Sequence, residues 1–334
     1  MKAYRCRICG NPLYFENSVC VSCGTGVGYS RGERDIVPVD ARGVYVDAEG
    51  WIWHVCRNLG LSGCTWLAPL EGGQCSSCDL TRTRPHDADV QGLANFPLAE
   101  RAKRQLVAEL DALGFPVVGK AQDAANGLAF DLLSSSSQQV MIAHADGVVT
   151  IDLAEGDDSH RERVRSTLAE PYRTMLGHFR HEIGHYYEWQ LVERAADPAV
   201  LAQCRALFGD ETADYASAVQ RHYDEGPPRG WAQTYISSYA TMHPYEDFAE
   251  TWAHYLHICD TIETAVSYGL VPPADLVGRA RFRDLVTQVW VPLSTALNLV
   301  NRSMGKDDLY PFVLADPVLD KLDFVASLRP PALP

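Results

Sequence analysis

Apolar residues recur at helical spacing in the first long amphipathic stretch of the chain, residues 98–113. The stretch reads LAERAKRQLVAELDAL and is followed directly by Gly114. Apolar positions three or four residues apart are typical of the buried face of a helix, and a glycine after the last of them is typical of its end. The pattern therefore predicts a helix with one apolar face. The residues of that face are Leu98, Ala102, Leu106, Leu110 and Leu113.

The pattern changes to alternation over residues 127–153. Asp146-Gly147 stands between two runs of apolar and β-branched residues, and this placement is typical of a two-residue hairpin turn. We therefore expect a small antiparallel sheet, followed by a mainly helical region. One sheet followed by many helices predicts an α+β fold. The later helices are predicted over 198–208, 213–223, 244–267, 283–303 and 316–327.

Two helix starts are predicted between the sheet and these segments. Ser159 and Glu162 form a capping box, which opens a short helix that ends before Pro171. Pro171 suits the first turn of the next helix, whose sequence is PYRTMLGHFRHEIGHYYEWQLV.

The N-terminal region differs, because eight of the ten cysteines lie there in metal-ligand spacing. The first four form two Cys-x-x-Cys pairs, each of which brings two thiolates from one turn to one ion, and they predict a zinc ribbon. The predicted ligands are Cys6, Cys9, Cys20 and Cys23.

The second four cysteines are spaced more loosely, and their segment is rich in glycine and tryptophan. Such a segment forms little core without a metal, so we predict a second tetrahedral zinc site, with His54 as an alternative ligand. The predicted ligands are Cys56, Cys64, Cys75 and Cys78. Cys204 and Cys259 are expected to be buried thiols. The turn formers of TRTRPHDAD place a boundary near residue 88. The predicted domains are a zinc ribbon over 1–45, a ribbon-like module over 46–88 and an α+β domain over 89–334.

Composition and charge narrow the classes of partner. The formal net charge is −14 and there is no basic block, so the overall field repels nucleic acid and anionic lipid. The N-terminus lacks the apolar core of a signal peptide, and no later apolar window reaches the length of a membrane span. We expect a cytoplasmic protein without a nucleic-acid or membrane partner.

The chemistry of the chain centres on His181-Glu182-Ile183-Gly184-His185 within the predicted helix. His181 and His185 are one turn apart, so their ring nitrogens can converge on one ion. Glu182 lies about 100° around the helix from His181, where it can act as a general base on water at that ion. We estimate that an H-E-x-x-H sequence occurs by chance in such a chain at roughly 2%.

A third protein ligand must come from elsewhere. The metzincin continuation is absent, because Glu188 and Leu191 stand where that class has glycine and histidine. Glu246 and Glu250 are four residues apart in the later segment HPYEDFAETWAHYLH, so one can bind the metal while the other accepts a ring N–H from a ligand histidine. We interpret Glu246 as the ligand. The reverse assignment stays open, since spacing does not distinguish them.

Other polar residues near these motifs have two interpretations each. Hydrolysis of a peptide bond at such a metal site also needs a hydrogen-bond donor for the oxyanion of the tetrahedral intermediate. That donor could come from the loop before Glu246, although tyrosines are also common as core residues. The candidates are Tyr235, Tyr239, His243 and Tyr245. His178 and His254 are either neighbours of the site or packing residues.

The segments GHFRHEIGHYY and SSYATMHPYEDFAETWAHYLH, together with the double cysteine module and its phrases GCTWLAP and CSSCDLTRTRP, resemble a bacterial family of zinc-dependent metallopeptidases with an N-terminal zinc ribbon. The first glutamate of the Glu-Phe-Phe-Ala-Glu segment in gluzincins of the anthrax lethal factor type binds zinc. That resemblance implies Glu246 as ligand, Glu250 as its outer partner and Tyr239 as the transition-state tyrosine. Asp247 departs from the pattern.

The resemblance implies a zincin-type peptidase domain that hydrolyses peptide bonds with zinc-bound water activated by Glu182. One catalytic and two structural zinc ions are then expected, with a peptide or protein as substrate. The alternative is a protein-binding module that uses its ribbons while the HEIGH site is silent or structural. The presence of Glu182 counts against it, because a structural site needs no base. Nucleic-acid binding by the ribbons ranks last, since residues 1–80 are nearly neutral.

Overall fold

The computed structural model describes residues 2–135, 140, 143–156, 174–274 and 281–330. The chain divides into two compact units, Met1–Asp157 and Asp158–Pro334. The boundaries predicted after residues 45 and 88 both lie inside the first unit and stay predictions. No helix among the described residues combines the length and the apolar composition needed to cross a membrane.

Short antiparallel strands form the N-terminal part of the first unit. Three small sheets are present: β1 with β2, β3 with β4, and the three-stranded order β5-β6-β7. The strands are β1 Tyr4–Arg5, β2 Pro12–Leu13, β3 Val27–Ser30, β4 Asp35–Pro38, β5 Val44–Val46, β6 Ile52–Val55 and β7 Leu67–Ala68, with a short helix α1 at Leu59–Ser62.

An aromatic cluster joins the two cysteine-containing segments. The ring centroid of Tyr29 lies 4.8 Å from that of Phe15 and 4.8 Å from that of Trp66. The backbone N–H of Tyr29 also donates to the carbonyl of Thr65 over 2.9 Å. Both segments therefore share one small core of large, buried side chains, which adds apolar burial to the predicted metal sites.

The first long helix, α2, spans Val90–Leu113 and begins earlier than predicted, at the N-cap Asp89. Its end is confirmed, because Gly114 takes the left-handed conformation with φ of 81°. The predicted apolar face is buried except for Leu98, which is 47% exposed. Leu98 lies at the edge of the stripe, whose centre runs through Ala99 and Leu106, so including it in the core was wrong.

A four-stranded sheet follows in the first unit, in the order β10-β11-β9-β8. The hairpin between β10 and β11 is confirmed, with positive φ at Asp146 and Gly147. The expectation of a wholly antiparallel sheet was wrong, since β9 runs parallel to both β11 and β8. The Asp-Gly turn specifies only the pairing of its own two strands. The strands are β8 Thr81–Thr83, β9 Ala129–Leu133, β10 Ala143–Ala145 and β11 Val148–Asp152.

The described part of the second unit is helical. Three predicted helices begin and end where expected, while the one predicted over 213–223 begins two residues later, after the N-cap Asp214. The helices are α3 Met175–Glu188, α4 Pro198–Phe208, α5 Tyr215–Glu225, α6 Pro244–Ser267, α7 Phe282–Leu285, α8 Val291–Ser303 and α9 Asp316–Ser327. Two π-helical segments, Trp189–Glu193 and Val286–Trp290, continue α3 and join α7 to α8.

Helix α3 begins later than the predicted start at Pro171. The hydroxyl of Thr174 accepts a hydrogen bond from the N–H of Gly177 over 2.9 Å and caps the helix. The short helix predicted from Ser159 and Glu162 to Pro171 lies outside the described residues.

Helices α3 and α6 pack closely against each other. A Cβ atom at Gly184 would lie 3.0 Å from Cα of Ala249 and 3.1 Å from Cβ of Trp252, so the missing side chain allows the two backbones to approach. The ring of Tyr187 stacks on Trp252 with centroids 4.8 Å apart. This packing holds the histidines of α3 opposite the glutamates of α6.

Candidate metal centre

The two histidines of the HEIGH motif lie on the buried side of α3, one turn apart. Their ring centroids are 4.9 Å apart and the rings are nearly perpendicular. Glu182 is also buried, so the three polar side chains of the motif are withdrawn from bulk water. Buried polar groups require partners, and α6 supplies them.

Glu246 brings one carboxylate oxygen to both histidines. Its Oε2 atom lies 3.0 Å from Nε2 of His181 and 3.7 Å from Nε2 of His185. One ligand atom from each of these residues lies within 4.8 Å of the others. Two imidazole nitrogens and one carboxylate oxygen are a ligand set of catalytic zinc sites, which keep a fourth position open. The arrangement could therefore hold a zinc ion.

Glu250 contacts the opposite side of the His181 ring. Its Oε1 atom lies 2.8 Å from Nδ1 of His181, and its Oε2 atom accepts a hydrogen bond from the hydroxyl of Ser237 over 2.6 Å. The backbone N–H of Ala240 in turn donates to that hydroxyl oxygen over 3.1 Å. Glu246 and Glu250 thus face different nitrogens of one imidazole.

Glu182 is positioned to accept a proton. Nε2 of His178 lies 3.4 Å from Oε1 of Glu182, one helical turn away on α3. Burial raises the pKa of Glu182, but the hydrogen bond from His178 and the charge of His181 outweigh burial and hold that pKa below its ordinary value. Glu182 is therefore an ionised carboxylate at neutral pH, and His178 is its neighbour.

The charges of the proposed ligands also depend on one another. Burial lowers the pKa of His181, yet Glu246 and Glu250 outweigh it and raise that pKa well above the ordinary value. Burial raises the pKa of Glu246, while the charges of His185 and His181 lower it to about 2. A positive charge at the His181 ring is thus favoured by both carboxylates, which is the electrostatic environment that a bound cation requires.

The three candidate tyrosines that precede Glu246 take different positions. The ring of Tyr239 lies 5.8 Å from the His181 ring, and the ring of Tyr245 stacks on His185 at 4.2 Å. Tyr235 instead lies under the ammonium of Lys321, 4.4 Å from its ring centroid. Two of the three predicted tyrosines therefore contact the site histidines.

His243, one of the four candidate donors, has a structural role. Its Nδ1 atom accepts a hydrogen bond from the N–H of Tyr245 over 3.1 Å and caps α6. Its Nε2–H donates to the carbonyl of Ala213 over 3.1 Å. Because both ring nitrogens are engaged by the backbone, His243 drops out of the four candidate oxyanion donors.

One residue of the site was missed by sequence reasoning. The hydroxyl of Tyr215, the first residue of α5, donates to Oε1 of Glu246 over 2.8 Å. Tyr215 lies 31 residues before Glu246 and outside either motif. The nearby sequence signal is the helix predicted over 213–223, and a helix prediction does not show which group the phenol contacts.

The remaining candidates lie in the core. Nδ1 of His254 lies 2.8 Å from the hydroxyl of Tyr310, and burial lowers the pKa of His254 to about 4. Its ring is therefore neutral at neutral pH and packs inside the second unit. Cys204 and Cys259 are buried thiols, as predicted.

The cysteine quartets come together as two separate groups, and all eight thiols are free. In the first, the Sγ atoms of Cys6 and Cys23 are 3.7 Å apart and those of Cys9 and Cys20 are 3.6 Å apart. Four thiolates at zinc–sulfur distances of about 2.3 Å lie about 3.8 Å from one another at the corners of a tetrahedron. The separations fit one zinc ion.

The second quartet has the same geometry and is fully buried. The Sγ atoms of Cys56 and Cys78 are 3.7 Å apart, and those of Cys64 and Cys75 are 3.5 Å apart. The group consists of these four cysteines without His54, so the alternative ligand is not needed.

Comparison with known proteins decides the family. Residues 92–328 match the family described as "Putative zinc-binding metallo-peptidase", and residues 3–89 match a zinc-ribbon domain. The chain belongs to this zinc-binding metallopeptidase family. The resemblance seen in the motifs is thereby confirmed, as is the α+β fold with an N-terminal zinc ribbon.

Two proteins similar to this chain come from mycobacteria. The chain is 49% identical to an uncharacterized protein of Mycobacterium tuberculosis and to one of Mycobacterium bovis, over 98% of this chain and 95% of each relative. No solved structure is significantly similar to the chain. The family match supports zinc as the metal for these sites.

Proposed function

We propose that this protein is a zinc-dependent metallopeptidase whose zinc is held by His181, His185 and Glu246. The observation that carries the proposal is the position of Glu246 Oε2, which faces Nε2 of both histidines. A bound zinc ion supplies a Lewis acid that polarises the substrate carbonyl and lowers the pKa of water. This donor set leaves one position open for that chemistry.

Glu182 acts as the general base in this proposal. Its carboxylate is ionised, lies on the same helix as both histidines and is held by His178 at 3.4 Å. It accepts a proton from the attacking water and can return that proton to the leaving amine. The low pKa of its carboxylate supports the base form at neutral pH.

Glu250 and Tyr239 have the two remaining roles in the proposed mechanism. Glu250 accepts the Nδ1–H of His181 and thereby presents the Nε2 lone pair of that ring to the metal. The ring of Tyr239 lies beside His181, and its hydroxyl donates a hydrogen bond to the oxyanion that develops on the substrate carbonyl. The geometry favours Glu246 over Glu250 as ligand, because only Glu246 faces both Nε2 atoms.

The two cysteine quartets hold structural zinc ions in this proposal, and the substrate is a peptide or protein. Closed four-thiolate sites stabilise small folds without taking part in catalysis. A protein partner that binds through the ribbons and a cytoplasmic location, both expected from the sequence, are part of the proposal.

The test is cleavage profiling of a peptide library by wild type and Glu182→Gln, with zinc content measured on the same samples. We expect the variant to retain its zinc and to lose about 10²- to 10⁴-fold in cleavage rate, the usual contribution of a general base. The matched control is Glu225→Gln, at an exposed position at the end of α5, and it should cleave like wild type.

Two results would overturn the proposal. Cleavage by Glu182→Gln at the wild-type rate would remove the base from the mechanism. Wild type that binds zinc only at the cysteine quartets and cleaves nothing would instead favour the protein-binding module.

A further inference from the structure

The two oxygens of Glu246 have different partners. Oε2 lies 3.0 Å from Nε2 of His181 and 3.7 Å from Nε2 of His185. Oε1 instead accepts a hydrogen bond from the hydroxyl of Tyr215 over 2.8 Å. Glu246 is 3% exposed, so the phenol is a specific partner of a carboxylate that is withdrawn from water. The contact joins α5 to the first turn of α6, which carries Glu246.

Hydrogen bonds of the two residues just before Tyr215 fix the start of α5. Asp214 caps the helix by accepting the N–H of Ser217 over 3.0 Å. The carbonyl of Ala213 accepts a hydrogen bond from His243, and the His243 ring packs edge-on against Tyr215 with centroids 5.3 Å apart. His243 is itself the N-cap of α6, three residues before Glu246. The phenol is therefore oriented relative to Glu246 by the fold.

The chemistry of a carboxylate ligand explains what this contact can do. A carboxylate can bind a metal through one oxygen or through both, and the second mode occupies a position that a catalytic site keeps open. A hydrogen bond from a phenol occupies one lone pair of Oε1 and makes that oxygen a weaker ligand. Only Oε2 then remains directed at the histidine nitrogens.

We propose that Tyr215 is a positioning residue that holds Glu246 as a one-oxygen ligand of the metal. The inference rests on the proposed function, since it concerns the same site. Its role differs from that of Tyr239. A phenol has a single proton to donate, and in Tyr215 that proton is given to Glu246, so it does not serve the substrate oxyanion.

The experiment compares full-length wild type with Tyr215→Phe, which removes the hydroxyl and keeps the ring. The matched control is Tyr223→Phe on the same helix, where the side chain is 60% exposed. The protein is loaded with ¹¹³Cd for NMR, because sulfur-ligated cadmium resonates far from cadmium bound by nitrogen and oxygen. Affinity for the third zinc ion is measured by chelator competition, and kcat and KM are measured on a peptide that wild type cleaves.

We expect Tyr215→Phe to shift the nitrogen- and oxygen-ligated cadmium resonance and to weaken zinc binding there by about 10- to 100-fold, as is usual for an outer partner of a ligand. The value of kcat should fall while KM stays the same, because Tyr215 acts through Glu246. Tyr223→Phe should match wild type in all three measurements.

The outcomes separate this inference from the function it rests on. If wild type is an active peptidase but Tyr215→Phe keeps the same resonance, affinity and kcat, the role of Tyr215 is refuted and the proposed function stands. If wild type gives cadmium signals from thiolate sites alone, both proposals fail.

Discussion

Nδ1 of His181 lies 2.8 Å from Oε1 of Glu250, on the side of the ring opposite the atom that faces Glu246. An ionised carboxylate can only accept a hydrogen bond. When the ring loses its second proton to bind a metal, the remaining proton is therefore held on Nδ1, and the Nε2 lone pair is left on the side of Glu246 and His185. One contact between α3 and α6 thus selects both the tautomer and the orientation of a proposed ligand.

Removing this contact should weaken metal binding while the protein stays folded. We expect Glu250→Ala to lower zinc affinity at the HEIGH site by about 10- to 100-fold, since the ring loses its orienting partner. Ser237→Ala, which removes only the hydrogen bond to the other oxygen of Glu250, should have a smaller effect. Chelator competition measures both. Loss of zinc from Glu250→Ala but not from Glu246→Ala would reverse the ligand assignment.

The number of bound metal ions tests the three ligand groups together. We expect about three zinc ions per chain, one for each group of converging side chains among the described residues. Cys75→Ser should lose one of them and lower the unfolding temperature, because Cys75 is a buried member of the second quartet. Cys204→Ser is the control, since Cys204 lies in neither quartet. Metal analysis and thermal unfolding provide the readouts, and an unchanged zinc content in Cys75→Ser would contradict the second site.

Gly184 should not tolerate a methyl group. In Gly184→Ala the new Cβ would lie 3.0 Å from Cα of Ala249, a backbone atom that cannot move independently of α6. We expect a loss of about 1–3 kcal/mol in unfolding free energy, although alanine favours the helix by about 1 kcal/mol. Gly60→Ala in α1 is the control, because nothing lies within 4 Å of its Cβ position. Urea unfolding of both variants measures their unfolding free energies. An equal loss in Gly184→Ala and Gly60→Ala would contradict the close approach of α3 and α6.

Glu188 should make stability depend on pH. Burial, followed by the charges of Glu193 and Glu211, raises the pKa of Glu188 well above its ordinary value of 4.5, and its Oε2 atom has no hydrogen-bond partner among the described residues. The folded chain therefore holds this proton more tightly than the unfolded chain. The resulting stabilisation is complete below pH 4.5 and is lost as pH rises toward the raised pKa.

Glu188→Gln removes that dependence. Relative to the variant, wild type should lose up to about 1.4 kcal/mol of unfolding free energy for each pH unit above 4.5, until the carboxyl ionises in the folded state. Urea unfolding at several pH values between 4.5 and 8 measures the difference. Two parallel stability curves would show that Glu188 ionises normally.

Much of the helical architecture was predictable because it depends on local signals. The bounds of α6 follow from Pro244 in its first turn and from an unbroken apolar face. The start of α3 was placed too early, since Pro171 is compatible with a first turn while Thr174 is the residue that caps it. The sheet was misjudged for a related reason, because the turn at Asp146 and Gly147 does not specify the pairing of β11 with β9.

The candidate metal ligands likewise depend partly on local sequence spacing and partly on long-range packing. Helical geometry alone brings His181 and His185 to one face, and the Cys-x-x-Cys spacing alone brings thiolate pairs together, because backbone hydrogen bonds over a few residues specify both. Which carboxylate of α6 meets which nitrogen, and that Tyr215 meets Glu246, depend on the packing of helices far apart in the chain. Such packing sums many weak contacts, among them the approach at Gly184, and it leaves no short-range pattern in the sequence.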